Sequence, residues 1–290
     1  MTSASSPQLL PITQDDLDEV GSFLHHHLNS RLSADRWSAS ITPPWTVEAP
    51  NSGFLLRDAG GIVGAYLAFY SERVVAGRPQ PFCNLGAWCV LEEHRAHGLR
   101  LLRALLGQKG YHFTDFSPSG SVVPLNRRLK FEDLDTSTVL VPNLPWPPRA
   151  RGARIVSDDP QIEALLTGDD LQRYRDHRAA AAAKQFVLQD GDGRVCHVVV
   201  RRDRRKKLPL FASILHVSDR EVFARHQDVV FRHLLLRHGA PATLVELRVT
   251  GAAPRRGRLL ASARPKMFRS ATLKAEDIDY LYSELTCVAW

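Results

Sequence analysis

Two hairpin patterns recur 132 positions apart and constrain the fold of this 290-residue chain more than any other feature. In the first, an apolar run that contains Phe54 leads through a glycine-rich turn to a second apolar run that contains Val63. In the second, Phe186 and Val195 hold the same places on either side of a Gly-Asp-Gly turn. A repeat this long indicates one domain that has been duplicated, rather than a solenoid of short units.

Each hairpin is followed by a third apolar strand, a helix and a further strand. Short strands mixed with helices in this order predict the α/β class, with an α+β mixed sheet in each of two lobes. The segment 141–152 holds four prolines, which cannot occupy the interior of a regular element, and it is typical of a linker. The sequence therefore predicts an N-terminal domain over residues 1–145 and a C-terminal domain over residues 146–290.

The segment 83–107 has the pattern of a buried strand, a short loop and a helix, with Gly98 at the point where the loop meets the helix. A helix start offers unpaired N–H groups and a partial positive charge, and glycine lets a phosphate approach the backbone closely. The pattern predicts a site for a phosphorylated cofactor. The matching segment of the second half, residues 218–223, has no glycine, so we expect the cofactor only in the first lobe.

This loop reads Val90-Leu-Glu-Glu-His-Arg-Ala-His-Gly-Leu-Arg100, and Leu129-Lys-Phe131 follows further along the chain. Together with the strand order, these motifs resemble the GNAT (Gcn5-related N-acetyltransferase) superfamily over residues 10–145. The resemblance implies a tandem GNAT-like acyl-CoA N-acyltransferase fold in two lobes, of which the second is degenerate. It also implies acetyl-CoA or another acyl-CoA as co-substrate, and no metal.

The resemblance also assigns residues to the co-substrate. The backbone of residues 88–90 would pair with the pantetheine arm, the N–H groups of residues 95–100 would hold the pyrophosphate, and Asn126 would lie near the thioester. The expected cofactor-binding residues are Trp88, Cys89, Val90, Arg95, Ala96, His97, Gly98, Leu99, Arg100 and Asn126.

The chain departs from the family pattern at two of these positions. Arg100 stands where the motif usually ends in glycine or alanine. Asn126 stands where the family often has a tyrosine that protonates the leaving thiolate. The resemblance therefore supports the cofactor more strongly than it supports the chemistry.

Acyl transfer to an amine needs a base, and the predicted strand 111–116 offers one. Strand alternation puts Asp115 and Ser117 on the same face. Glu72, at the end of the hairpin strand, is a second candidate base. The alternative interpretation is structural: Asp115 and Ser117 would be polar groups that are satisfied at a strand end, and Glu72 a surface carboxylate.

The 38 basic residues exceed the 31 acidic ones and give a net charge of +7, which favours anionic partners such as CoA. The run 201–207 is strongly basic and raises the alternative of an acidic acyl carrier protein as donor. Nucleic acid is a minor option, because the chain has neither zinc-finger spacing nor an aromatic-basic recognition motif. A tandem enzyme that takes its acyl group from aminoacyl-tRNA nevertheless stays open.

Four cysteines are too few and too scattered for a disulfide framework or a zinc site. The N-terminal residues do not resemble a signal peptide, and no apolar run reaches the length of a membrane span, so we expect a cytoplasmic protein with no membrane association. The predicted function is transfer of an acetyl or other acyl group to an amine or hydroxyl of a small-molecule or sugar acceptor. A non-catalytic CoA-binding module is the alternative from another class, and a homodimer stays open.

Overall fold

A computed structural model describes residues 6–147, 152–205 and 208–290. The strands of the described residues are β1 (Gln8–Pro11), β2 (Gly53–Asp58), β3 (Gly61–Val75), β4 (Arg78–Val90), β5 (His112–Asp115), β6 (Glu132–Asp133), β7 (Thr138–Pro142), β8 (Arg154–Val156), β9 (Ala183–Gln189), β10 (Val195–Arg205), β11 (Leu208–Val217), β12 (Ala242–Glu246), β13 (Arg258–Leu259) and β14 (Met267–Arg269). The α-helices are α1 (Leu17–His27), α2 (Ala34–Ile41), α3 (Gly98–Leu106), α4 (Val122–Arg128), α5 (Asp159–Leu165), α6 (Gly168–His177), α7 (Arg220–His238), α8 (Leu247–Thr250) and α9 (Glu284–Cys287). Short 3-10 helices cover Gln14–Asp16, Glu92–His97 and Ala275–Asp277.

The chain forms two compact units, and each has a seven-stranded sheet of its own. The strand order is β1-β2-β3-β4-β5-β14-β6 in the first sheet and β8-β9-β10-β11-β12-β7-β13 in the second. Only β4 with β5, and β11 with β12, run parallel, and every other pair of neighbours is antiparallel. The predicted mixed α/β architecture is confirmed, and the two sheets have the same pattern of strand directions, although the sixth strand comes last along the chain in the first sheet (β14) and first in the second (β7).

The observed units differ from the predicted ranges 1–145 and 146–290. The first unit runs to Leu134 and also takes in Pro265–Ile278 and Tyr282–Trp290, whereas the second comprises Asp135–Arg264 and Asp279–Leu281. The units differ from the predicted ranges because of how two short strands pair. The C-terminal strand β14 pairs with β5 in the first sheet, and β7 pairs with β12 in the second. The proline-rich segment that was predicted as a linker thus begins inside the second unit. Residues 148–151 of that segment lie outside the described residues.

Both faces of the first sheet are covered, which explains why β3 is buried at every position from Ile62 to Ser71. Ala65, Leu67 and Phe69 belong to one core with α1 and α2. The intervening Tyr66 and Ala68 belong to the core beneath α3. Alternation along β3 therefore supplies side chains to two helix layers.

The second sheet is covered in the same way by α7 on one face and by α5 and α6 on the other. Phe186 and Val198 pack with the apolar side of α7, and Val187 packs with Ile162 of α5 and Tyr174 of α6. The four cysteines are buried free thiols. None of the helices in the described part of the chain has both the length and the apolar character that a membrane span requires.

Candidate functional site

The first sheet opens between β4 and β5. These strands pair in parallel only from Phe82 to Leu85 on β4 and from His112 to Asp115 on β5, and β4 then continues alone to Val90. Ala87 has a φ of 55°, and the register between β3 and β4 shifts beside it, which marks a β-bulge. The bulge turns β4 away from β5. Within the described chain, no strand pairs with residues 86–90 on the β5 side.

A cavity of about 730 Å³ occupies this opening, a volume typical of small-molecule sites. All of its lining residues belong to the first unit. They come from the end of α1, from β3 and β4, from the start of α3 and the segment before it, from β5 and the loop after it, from α4 and from the C-terminal residue. They are Leu28, Tyr66, Leu85, Gly86, Ala87, Trp88, Val90, Arg95, Gly98, Leu99, Asp115, Ser117, Pro118, Ser119, Ser121, Val122, Leu125 and Trp290.

The start of α3 at Gly98 forms part of the cavity wall. The predicted open loop before it is a 3-10 helix, and the Gly98 amide donates to the Arg95 carbonyl. A side-chain Cβ at Gly98 would lie 3.4 Å from Val90 Cγ2, an ordinary contact, and the backbone there is right-handed helical with φ of −55°. The fold alone therefore does not require glycine at this position, and the missing side chain leaves room in the cavity.

Trp88 presents an unused hydrogen-bond donor close to Gly98. Its ring stacks on Tyr66 with centroids 4.7 Å apart. The indole Nε1 is buried, has no hydrogen-bond partner among the described residues, and lies 3.9 Å from the place of a Cβ at Gly98. A buried donor without a partner is unfavourable, so a ligand acceptor in the cavity would stabilise this corner of the site.

Asp115 ends β5 and is only 4% exposed. Its Oδ2 accepts a hydrogen bond from Asn126 Nδ2 at 2.8 Å, and its Oδ1 accepts one from the Ser117 amide at 3.3 Å. Burial raises the pKa of Asp115 to about 7, although both hydrogen bonds act to lower it. A carboxyl group with a pKa near 7 in a cavity is suited to accept and return protons.

Glu284 on α9 was not predicted from the sequence and is linked to Asp115 through Ser117. Ser117 Oγ donates to Glu284 Oε1 at 2.8 Å, and the Glu284 amide donates to Asn84 Oδ1 at 2.9 Å. A Cβ at Gly86 would come within 2.9 Å of Glu284 Cβ, so α9 packs against a glycine that the fold needs. The available signal was a single carboxylate within the apolar C-terminal stretch 280–290.

No protein-family model matches the sequence, and a search of curated proteins found no match. Solved structures do match. A GCN5-related N-acetyltransferase from Anabaena variabilis has a TM-score of 0.58 at 11% identity, with 91% of this chain and 72% of that chain covered. A putative acetyltransferase from Pyrococcus horikoshii has a TM-score of 0.56 at 14% identity, with 96% and 94% covered. Saccharomyces cerevisiae N-myristoyltransferase with bound myristoyl-CoA has a TM-score of 0.52 at 10% identity, with 99% and 86% covered.

The fold is that of the GCN5-related N-acetyltransferases. The expected GNAT-like fold is thereby confirmed. Seven of the residues predicted for the site line the cavity of this fold, and they are Trp88, Val90, Arg95, Gly98, Leu99, Asp115 and Ser117.

The other predicted residues of the GNAT-like motif lie outside the cavity. Cys89 packs in the core with α1 and α2, while Ala96 is exposed and the His97 ring lies beside that of His94, tilted by 38°. Arg100 donates to the Pro7 carbonyl at 2.7 Å, because its position on α3 directs it toward the N-terminal segment. Asn126 is fully buried behind Asp115.

Glu72, the second candidate base, is also remote from the cavity. It is exposed and stands opposite Pro81, near the far end of β3. Lys206 and Lys207 of the basic run 201–207 lie outside the described residues.

Proposed function

We propose that this protein is an acyltransferase that moves an acetyl or other acyl group from a CoA thioester to an amine or hydroxyl of a small-molecule or sugar acceptor. The observation that carries the proposal is the opening between β4 and β5. Here the end of β4 has no strand partner on its β5 side among the described residues, and it borders a cavity that also contains a buried carboxyl group with a pKa near 7.

The residues of the opening suit the CoA donor. The pantetheine arm contains peptide-like amides, which can hydrogen-bond to the unpaired edge of β4 as an added strand would. Arg95, whose guanidinium is largely exposed at the cavity margin, supplies positive charge for the pyrophosphate. The Trp88 indole N–H supplies a further donor close to Gly98.

In the proposed reaction, the acceptor nitrogen attacks the thioester carbonyl carbon, the new C–N bond forms and the C–S bond breaks. Asp115 accepts the proton that the amine loses. Tyr66 lines the same cavity, and its phenol donates a hydrogen bond to the departing thiolate, which then takes up the proton that Asp115 accepted from the amine. Burial, followed by the charge of neighbouring groups led by Asp115, raises the pKa of Tyr66 well above its usual value of 10.0, so the phenol is protonated when the thiolate leaves.

Ser117 and Glu284 support this arrangement without taking part in proton transfer. Ser117 holds Asp115 through its amide and Glu284 through its hydroxyl, so one residue links the base to the C-terminal segment. We assign Glu284 as a positioning residue, because its fully buried carboxylate fixes Ser117 at the cavity wall.

The donor is tested by calorimetry and thermal shift with CoA, acetyl-CoA and longer acyl-CoA thioesters, and the reaction by release of free thiol with a panel of amines, amino sugars and alcohols. We expect Asp115→Asn to lower kcat by roughly 100- to 10,000-fold while the affinity for acetyl-CoA stays the same. The wild-type rate should fall as the pH drops below about 7, because the base becomes protonated. Glu72→Gln, at an exposed carboxylate outside the cavity, should leave the rate unchanged. A protein that binds no thioester, or an Asp115→Asn variant with full activity, would contradict the proposal.

A further inference from the structure

Two histidines and an aspartate meet in the second unit, and none of the three lines the proposed acyl-transfer cavity. His197 lies on β10, His216 on β11 and Asp170 in the first turn of α6. One potential ligand atom from each of the three lies within 4.8 Å of the other two. Among the described residues, they form the one compact group of three histidine, cysteine or acidic side chains.

The strand register brings the two rings to the same face of the sheet. His216 stands opposite Val199 in the antiparallel pair of β10 with β11. Val199 and His197 are two positions apart on β10 and therefore project to one face. Apolar residues Cys196 and Val198 alternate with them and fill the core beneath α7 instead. The histidines are thus on the side of the sheet that α5 and α6 cover.

Hydrogen bonds determine which ring nitrogen of His197 is protonated and which one can bind a metal. Gln185 Nε2 donates to the Tyr174 carbonyl at 3.2 Å, so Gln185 presents its Oε1 to His197 Nε2, 2.8 Å away. That oxygen can only accept, so His197 Nε2 carries the proton and Nδ1 carries the lone pair. His197 is fully buried, and its Nδ1 has no hydrogen-bond partner in the described chain.

His216, on the neighbouring strand β11, also has a buried ring nitrogen without a hydrogen-bond partner in the described part of the protein. This nitrogen is Nε2, whereas in His197 it is Nδ1. Each ring thus has one buried nitrogen without a partner among the described residues, which is unfavourable unless a cation or a hydrogen-bond donor lies beside it.

We propose that His197, His216 and Asp170 bind one divalent transition-metal ion, and that zinc is the ion this ligand set favours. Imidazole and carboxylate ligands suit zinc, and bonds of about 2.0–2.1 Å in a tetrahedral site put ligand atoms about 3.4 Å apart. The present separations, within 4.8 Å, need only a small inward movement of side chains. Three protein ligands leave a fourth position for water.

The surroundings of the three ligands are consistent with this role. Gln185 acts as a positioning residue, because its hydrogen bond fixes the tautomer and orientation of His197. One carboxylate oxygen of Asp170 accepts from Arg173 at 3.0 Å, and a carboxylate has a second oxygen for the metal. The ion would tie α6 to β10 and β11. This assignment departs from the expectation of a protein without metal.

The test uses the full chain without an affinity tag, stripped with a chelator and titrated with Zn²⁺ by calorimetry and with Co²⁺ by visible spectroscopy. We expect one ion per chain and the intense d–d absorption of tetrahedral cobalt. Asp170→Asn should weaken zinc binding roughly 100-fold or more, because replacing even an outer partner of a metal ligand typically weakens it about 10- to 100-fold. His216→Gln should do the same, and Gln185→Leu should have an effect within that outer-partner range.

Asp169→Asn is the matched control. Asp169 is adjacent, acidic and paired with the same Arg173 at 3.7 Å, but it does not belong to the cluster. His233→Gln is a second control, since His233 Nε2 is also buried without a partner in the described chain and no third ligand group accompanies it. Both controls should bind zinc as the wild type does. Equal binding by wild type and Asp170→Asn would assign the metal to surface histidines such as those of 25–27 and overturn the proposal, as would the absence of binding.

Discussion

The helices that follow the fourth strand of each sheet begin in different ways. In the second unit, Asp219 Oδ1 accepts from the amides of Glu221 and Val222 at 3.0 and 2.9 Å, and Arg194 bridges the carboxylates of Asp219 and Glu221. In the first unit, no side chain caps α3, and Gly98 opens its first turn toward the cavity. The same position in the two sheets thus carries either a helix start capped by the protein's own carboxylate or one that continues a 3-10 helix and borders the cavity.

The fifth strands, β5 and β12, each end in an acidic residue, and these two residues differ in their burial. Asp115 at the end of β5 is buried at the cavity and is held by an amide side chain and a backbone N–H. Glu246 at the end of β12 is half-buried and accepts from the Tyr280 hydroxyl. The first unit therefore keeps a buried carboxyl group in the wall of a cavity, whereas the second unit leaves its carboxylate half-exposed. Burial of this kind lowers stability and is the expected feature of a functional site.

The largest predicted effect concerns that burial. The pKa of Asp115 is raised from 3.8 to about 7, so the folded protein keeps a proton that the unfolded chain loses between these values. Stability linked to Asp115 is complete below pH 3.8 and is lost as the pH rises through about 7. Relative to Asp115→Asn, the wild type should lose up to about 4 kcal/mol of unfolding free energy between pH 4 and pH 8.

Urea unfolding of the two proteins across this pH range measures the difference. Glu72→Gln, which also removes one negative charge, controls for the change in net charge. If the gap between the wild type and Asp115→Asn stays constant with pH, then Asp115 is not desolvated and the contrast with Glu246 fails.

The second prediction places a carboxylate at the start of α3, as the second unit has at α7. Gly98→Glu should weaken acetyl-CoA binding roughly 100-fold or more, because a fixed negative charge in the cavity opposes the pyrophosphate. Calorimetry measures the affinity. Arg103→Gln changes the charge of the same helix by the same amount at an exposed position and should bind as the wild type does, apart from a small salt-dependent change. Retained affinity in Gly98→Glu would remove Gly98 from the donor site.

The sequence predicts those features of the fold that depend on neighbouring residues, and it does not predict those that depend on pairing between distant segments. The hairpins, the strand before α3 and the start of that helix follow from apolar alternation, helical spacing and glycine among neighbouring residues. The exchange of β7 and β14 between the sheets does not, because β14 has three residues and pairs with β5 about 150 positions earlier. So short a strand carries no pattern that identifies its partner, and the predicted domain boundary therefore lay in a different place.

The residues of the candidate site differ in the same way: local sequence patterns predict some of them, and only tertiary contacts bring the others to the site. Asp115 and Ser117 follow from strand alternation, and both line the cavity. Arg100 was assigned to the phosphate by its place in a motif, but side-chain direction on α3 is set by packing that the motif does not encode. Glu284 and Tyr66 reach the site through tertiary contacts, so no local signal links them to residues near 115.

The third prediction removes the side chain that caps α7 in the second unit. Asp219→Ala removes two hydrogen bonds to the first amides of α7 together with one of the two carboxylate partners of Arg194, and it should lower the unfolding free energy by about 0.5–2 kcal/mol. Affinity for acetyl-CoA should not change. Denaturant unfolding and calorimetry on the same variant give both numbers. A loss of acetyl-CoA affinity would mean that α7, rather than α3, begins at the donor site.

The smallest predicted effect separates stability from binding at a single residue. A methyl group at Gly98 would meet Val90 at 3.4 Å in a helical backbone, so Gly98→Ala should raise the unfolding free energy by about 0.5–1 kcal/mol. The same methyl group occupies cavity space beside Trp88 and should weaken acetyl-CoA binding about tenfold, or about 1.4 kcal/mol. Opposite signs in the two measurements are the signature of a glycine kept for a ligand. A variant that gains stability and binds acetyl-CoA unchanged would show that the two helix starts differ in capping alone.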